Sequence, residues 1–343
     1  MSSEDEQPSS YLDVIDPPEG DGRSVLEVPR PMTLTGVVAE LRRRVLSDDA
    51  AHREQAAARL GALADAGVPG ADPGSWWALR RETDARPLYP DDLPVPVSPS
   101  RIESFGRCRL MWVLRSHGGE GGDRGAADLG TLVHEIAADP DVDLTDATTL
   151  RRELDRRWPE LGLPDSWRGR HDHDRAGRMV DKLADYARTI RDEGWELVAV
   201  EQETRVEIGR ALLTGRVDRL ERAPDGRLRV VDIKTGRSAP TQAELADHAQ
   251  LAAYQAAVEA GAFPLGTGSA GAALLQLGGD RRAPRVQPQA PAVEADDPGW
   301  ARELVESTAE GMAGASFPAT PGDHCSYCPV RRSCPAQPEG RTL

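Results

Sequence analysis

The chain has 343 residues, 39% of them hydrophobic, with 33 glycines and 27 prolines, which is enough for a full core beside long loops or tails. Its 42 basic and 57 acidic residues give a net charge of −15, which excludes general electrostatic attachment to DNA or to an anionic membrane. No apolar run approaches a membrane span and no signal-peptide pattern opens the sequence, so no membrane contact and a cytoplasmic location are expected.

In chain order, residues 1–27 form an expected disordered acidic leader, since residues 1–23 hold seven acidic residues and one basic one. Residues 28–97 are expected to be a helical segment and connector. There GVVAELRRRVL and SDDAAHREQAAARLGALADAG, ending at Gly67, predict a helical hairpin, and a Pro- and Asp-rich link follows over 84–97. A new unit, 98–336, opens at Ser98-Pro99-Ser100, with Ser100 the expected N-cap of a helix carrying Ile102, Phe105, Leu110 and Trp112. Residues 117–127 are glycine-rich and expected to be mobile, and LGTLVHEIA (129–137) starts another helix. Residues 140–173 are expected to be polar and irregular, with some helix around 146–157. Met179, Leu183, Tyr186 and Ile190 recur at helical spacing and predict an amphipathic helix over 175–192. Strands are expected at 197–208, 211–222 and 228–235, the last two joined by a hairpin turn at Ala223-Pro224-Asp225-Gly226. A helix at 241–260, a strand at 272–277 and a helix near 298–313 lead to a cysteine-rich tail. The pattern is an α/β core, a central mixed sheet flanked by helices, with an N-terminal helical addition.

Lysine is almost absent: only Lys182 and Lys234 occur among the 42 basic residues. Where arginine is the default cation, a retained lysine points to a task that needs a compact, tunable point charge. Lys234 lies two residues after Asp232 in VVDIKTG, so the two side chains share one strand face. Asp218, in GRVDRL, lies across the predicted hairpin and can approach Asp232 closely. Two adjacent carboxylates repel unless a cation intervenes, and Mg²⁺ or Mn²⁺ accepts such oxygen ligands. Lys234 could then orient an attacking water or stabilise charge, with His134 brought in by its helix as a further ligand. The plainer alternative is a surface hairpin with salt bridges among Arg216, Arg219, Asp218 and Asp232, though Val230, Val231 and Ile233 mark a buried strand.

The series His134, Asp218, Asp232-Ile233-Lys234 and Gln250-x3-Tyr254 resembles the RecB-type branch of the PD-(D/E)XK nuclease superfamily. That resemblance implies a restriction-endonuclease-like core in which Asp218, Asp232, His134 and the carbonyl of Ile233 bind metal and Lys234 is the catalytic lysine. It places Gln250 and Tyr254 on a helix flanking the site, and an acidic residue on the preceding strand, for which both Glu201 and Glu203 qualify, Glu203 being the one assigned to the site. It implies hydrolysis of phosphodiester bonds, with single-stranded DNA ends as substrate in break repair and recombination, leaving 5′-phosphate and 3′-hydroxyl products.

Cys108 and the tail cysteines Cys325, Cys328 and Cys334 form a three-plus-one pattern, unlike the two local pairs of a zinc finger. It resembles the iron–sulfur staple of AddB-type and CRISPR-associated RecB-like nucleases, which implies a [4Fe–4S] cluster on these four residues, with zinc the competing occupant. Residues 28–97 resemble the segment before the nuclease module of actinobacterial Adn-type helicase–nucleases. No Gly-Lys dipeptide and so no Walker A motif occurs, so a nuclease module lacking its motor is expected, either freestanding or a detached C-terminal part, with a helicase motor subunit as candidate partner. Two other classes stay open: a catalytically silent module that binds DNA ends, and a zinc-stabilised accessory subunit of a helicase–nuclease complex. His171-Asp172-His173-Asp174 is expected to be a solvated polar loop, and Arg101, Arg107, Arg109 and Arg115 form a local basic helix around Cys108.

Overall fold

The computed structural model of the chain describes residues 33–76, 85–118 and 127–337. The acidic leader and residues 119–126 of the glycine-rich stretch lie outside the described residues. The chain divides into two units, Arg86–Pro318 and a smaller one made of Met1–Ala85 with Ala319–Leu343.

In the smaller unit the expected helical hairpin forms as α1 (Leu34–Arg44) and α2 (Ala50–Asp65), with Thr33 and Asp49 accepting the first free backbone N–H groups. Val38, Leu41, Ala56, Leu60 and Ala71 make its core. Arg42 lies over the ring of Trp76, whose Nε1 donates to the Gly70 carbonyl at 2.7 Å. The tail turns through two short 3₁₀ segments, Asp323–Tyr327 and Arg331–Ser333.

The larger unit is built on a mixed sheet of six strands: β1 (Val95–Val97), β2 (Glu196–Ile208), β3 (Ala211–Arg222), β4 (Leu228–Lys234), β5 (Ser269–Gln276) and β6 (Arg285–Gln289). β2 runs antiparallel to β3 along its whole length and occupies one edge of it. The other edge is shared: β1 pairs with Ala211–Leu213 in parallel, and β4 pairs antiparallel with Arg219–Arg222. Residues 214–218 of β3 therefore have no strand on that edge. β4 continues in parallel to β5, and β5 antiparallel to β6.

Both faces of the sheet are covered. Leu228 and Val230 of β4 join one core with α3 (Pro99–Arg107), α4 (Arg109–Ser116), α9 (Ala249–Glu259) and α10 (Trp300–Ala313). Val231 and Ile233 join the opposite core with α5 (Ala127–Ala138), α6 (Ala147–Arg157) and α7 (Trp167–Asp192). Burial on both faces is why β4 reads as a continuous apolar run. It also makes Asp232 a carboxylate inside a core strand.

Several boundaries differ from the sequence reading. Ser98, not Ser100, caps α3, because Pro99 takes the first helical position, where its missing N–H costs nothing. The backbone is extended at Cys108 (φ −163, ψ 115), which splits the expected helix into α3 and α4. α7 begins at Trp167, with Ser166 accepting from Gly169, so the His171–Asp174 run is helical rather than a loop. His173 Nε2 lies 2.9 Å from Asp155 Oδ1, a contact between α6 and α7. The predicted 241–260 helix is two, α8 (Gln242–Ala246) and α9, with His248 between them accepting from the Leu251 N–H. β1 and β6 were hidden by Pro96 and Pro288. Proline removes a ladder donor, and β6, last in the strand order, is an edge that tolerates it.

Candidate active site

β3 and β4 pair as far as Arg219 and Val231, and Asp218 and Asp232 stand one residue beyond, where the strands part. A side chain replaces the next ladder bond: the Ile233 N–H donates to Asp218 Oδ2 at 2.6 Å. α5 brings His134 to the same carboxylate, with Nδ1 3.5 Å from Asp218 Oδ1. On the other side of β3, the pairs Val200–Arg219 and Gln202–Val217 place Glu201 level with Asp218. His134, Glu201 and Asp218 each offer a ligand atom, all within 4.8 Å of one another, the one such group among the described residues. Two carboxylates and an imidazole suit a hard divalent cation such as Mg²⁺ or, given the nitrogen donor, Mn²⁺.

Asp232 and Lys234 form the second half of the cluster. Lys234 Nζ lies 2.8 Å from Asp232 Oδ2 and donates to Gln250 Oε1 at 3.0 Å. Gln250 Nε2 donates to Asp232 Oδ1 at 2.7 Å, and the Tyr254 hydroxyl donates to the same oxygen at 3.2 Å. Gln250 and Tyr254, one turn apart on α9, are both buried. Asp232 Oδ2 is buried and is paired with the Lys234 ammonium alone, the other oxygen taking the Gln250 and Tyr254 donors. Burial pushes the Asp232 carboxyl above its ordinary range; Lys234 opposes this and the Asp218 charge reinforces it. Burial works against the charge on His134, but Asp218, Asp232 and Glu201 outweigh it and hold that imidazole above its usual value. Burial and Asp232 push the Tyr254 hydroxyl up, which keeps it a donor.

The structure separates the two glutamate candidates. Glu203 is 82% exposed beside Arg216, and it is Glu201, not Glu203, that joins His134 and Asp218. Residues two apart on a strand normally share a face. Glu201, however, has a left-handed backbone (φ 46), alone among the described non-glycine residues, and the strand's alternation breaks there. No sequence signal marks a glutamate for that conformation. Of the Ile233 groups, the N–H is engaged by Asp218. Arg219 is also placed otherwise than in the surface-hairpin alternative: it is buried and pairs with Glu221 at 3.2 Å, not with either aspartate. Glu221 further accepts from Tyr186 and Arg229.

Lys182, the other lysine, was given no role in the sequence reading. Buried on α7, it donates to the carbonyls of Leu277 at 2.7 Å and Gly279 at 2.5 Å. Those residues lie against the end of β4: Leu277 N–H donates to the Lys234 carbonyl at 2.9 Å, and a Cβ on Gly278 would sit 1.9 Å from the Thr235 carbonyl. Only glycine fits that approach. The second lysine thus braces the segment that carries the first.

The four cysteines form no disulfide; Cys108 and Cys334 are buried, Cys325 and Cys328 half-buried. Around Cys108 the arginines are partly engaged, Arg107 with Glu103, Arg101 over Trp112 and Arg109 over Phe105. Among the described residues, no helix is long and apolar enough to cross a membrane.

No curated protein matches the chain. A solved structure described as "Crystal structure of SSO0001" aligns at 17% identity and a TM-score of 0.33, over 71% of this chain and 86% of that one, a superposition that decides nothing here. The family model described as the PD-(D/E)XK nuclease superfamily matches residues 96–335, from β1 through the last tail cysteine. With its split sheet, paired aspartates and adjacent lysine inside that match, the chain belongs to the PD-(D/E)XK nuclease superfamily.

Proposed function

We propose that the chain is a metal-dependent DNA nuclease of the RecB-type branch, hydrolysing phosphodiester bonds at single-stranded ends during double-strand-break repair. One observation carries the reading: a single peptide unit joins the two half-sites. The Ile233 N–H holds Asp218, which faces His134 and Glu201, while its neighbours Asp232 and Lys234 are fixed by Gln250 and Tyr254.

In this reading Asp218, Glu201 and His134 would hold Mg²⁺ or Mn²⁺, with Asp232 Oδ2, the oxygen beside Lys234, and the Ile233 carbonyl as further ligands. A divalent cation in such a site lowers the pKa of a bound water and neutralises charge on a phosphoryl oxygen. Gln250 bridges carboxylate and ammonium, so Asp232 and Lys234 keep a fixed separation. Lys234 then presents its remaining donors to the attacking water or to the phosphate charge. Tyr254 donates to Asp232, which offsets part of the burial that pushes this carboxyl above its ordinary range.

The RecB-type assignment rests on the motif series, and the choice of single-stranded ends and the partnership with a helicase motor rest on the resemblance alone. For Cys108, Cys325, Cys328 and Cys334 we propose a [4Fe–4S] cluster on donor chemistry and sequence spacing: four cysteines in a three-plus-one pattern, none in a disulfide. The deciding experiment incubates purified chain with end-labelled single- and double-stranded DNA, with and without Mn²⁺. Metal-dependent shortening of the single strand supports the reading. Intact DNA of both kinds with Mn²⁺ present rejects it.

A further inference from the structure

Beside the end of β4 lies a cleft of about 90 Å³ whose lining includes Arg175, Arg178 and Lys182 from α7 and Arg237 from the segment after β4. Against these four cations the lining supplies one carboxylate, Asp280; Asp172 is the other acidic group felt by Arg175. Such an excess is unusual in a chain of net charge −15. Some surface arginines are matched with acids, as in Arg43 and Arg44 with Glu40, Arg151 with Asp181 and Arg227 with Glu294, but what marks this cleft is that four cations meet in one place. Here Arg178 and Arg237 are exposed and make no hydrogen bond or ion pair with the described residues. Arg175 donates to the Thr235 carbonyl at 2.9 Å, while its buried Nε has no partner. Burial, then Arg237, and also Arg178 work against the Arg175 charge. The fold therefore holds four cations together with only Asp280 and Asp172 to offset them in part.

The cleft's position gives the missing anion an identity. Arg175 grips Thr235, the residue next to Lys234, and Lys182 grips the Leu277–Gly279 segment that bonds the Lys234 carbonyl. We propose that this cleft is a phosphate subsite that holds the backbone of the nucleic-acid strand beside the position where it is cut. The inference rests on the nuclease reading for its ligand and on the unpaired arginines for its location. The space is sufficient for one phosphate group. Arg178 and Arg237 supply the contacts, while Arg175 and Lys182, tied to backbone carbonyls, supply fixed positive charge.

The test measures binding of a fluorescein-labelled single-stranded oligonucleotide to the full chain by anisotropy, in EDTA, across a salt series. Wild type is compared with the double variant Arg178→Gln/Arg237→Gln and with Arg302→Gln as a control on α10. The double variant is expected to bind about tenfold more weakly, and its log–log salt slope to fall by about 0.7, the value for one single-strand phosphate contact. Because both side chains are exposed and mutually repelling, its melting temperature should hold or rise, which separates lost contact from lost fold. Affinity and slope matching wild type overturn the subsite. Inorganic phosphate that raises the melting temperature of wild type but not of the double variant supports it and shows that a free anion also enters; an equal rise in both counts against it. Binding is read without metal, so the two readings fail separately. Cleavage with unaltered binding removes the subsite alone, and binding through these arginines without cleavage in Mn²⁺ removes the nuclease alone.

Discussion

Each candidate residue has an environment that makes its removal informative. Asp232→Ala and Lys234→Ala are each expected to lower Mn²⁺-dependent cleavage by about a hundredfold to a thousandfold, the scale of losing one preorganised electrostatic group, while circular dichroism stays that of the wild type. A wild-type cleavage rate from either variant means the site lies elsewhere. The glutamates give a sharper contrast. Glu201→Gln should abolish the rise in melting temperature that Mn²⁺ produces, about 2.7 kcal/mol of stabilisation at a hundredfold excess over the dissociation constant, and Glu203→Gln should leave it unchanged. An unchanged rise in Glu201→Gln would exclude it as a ligand, and equal loss in both would remove the distinction between them. His134 adds a pH dependence. Its folded pKa is raised, so protonation stabilises the metal-free chain below the ordinary imidazole value of 6.5, and that stabilisation is lost as pH rises through the folded value. Metal must displace this proton, so the Mn²⁺-induced rise should grow between pH 6 and pH 8 in wild type; in His134→Gln it should vary less. A rise that is already complete at low pH in wild type would exclude His134 as a ligand.

At the scale of elements, the sequence made the chemistry-bearing strands legible because their physics is local. An apolar run with Asp232 inside it could only be a buried strand, and a Pro-Asp-Gly turn fixed its pairing with the strand of Asp218. Gln250 and Tyr254 were legible as a face because helical spacing alone puts them together. What depended on distant partners was hidden. Nothing local shows that β2 fills one edge of β3 while β1 and β4 divide the other, or that Glu201 turns left-handed opposite Asp218. The extended backbone at Cys108 and the helical start at Trp167 likewise follow from packing and capping rather than periodicity. Lys182 was visible only as a rare residue, and its task lies in the brace between α7 and the segment after β5. Lys182→Met would leave two carbonyls unsatisfied in a buried place, at a cost of about 1–3 kcal/mol each. The expected result is a clearly lower melting temperature together with weakened cleavage; unchanged melting would show that water replaces the ammonium.

For the whole molecule, the charge of −15 and the nuclease fold pull against each other. A chain that repels DNA overall must concentrate its attraction, so cleavage should fall steeply with added salt. The cysteines belong to this scale as well, since Cys108 and the other three are separated by most of the sequence. If they hold a cluster, purified protein is brown and contains iron and sulfide, and Cys334→Ser loses the visible absorption and melts at lower temperature. An unchanged spectrum in that variant, or one zinc per chain in the wild type, rejects the cluster.

The uncovered edge of β3 has a kinetic meaning. Along residues 214–218, amides turned toward that gap lack a neighbouring carbonyl, so they should trade hydrogen for deuterium faster than any others in the central strands. Asp218 rides on this stretch, whereas Asp232 is locked in the core. Of the two aspartates, then, one is the anchor and the other the jaw, and Mn²⁺ should show itself first as a slowing of exchange at 214–218.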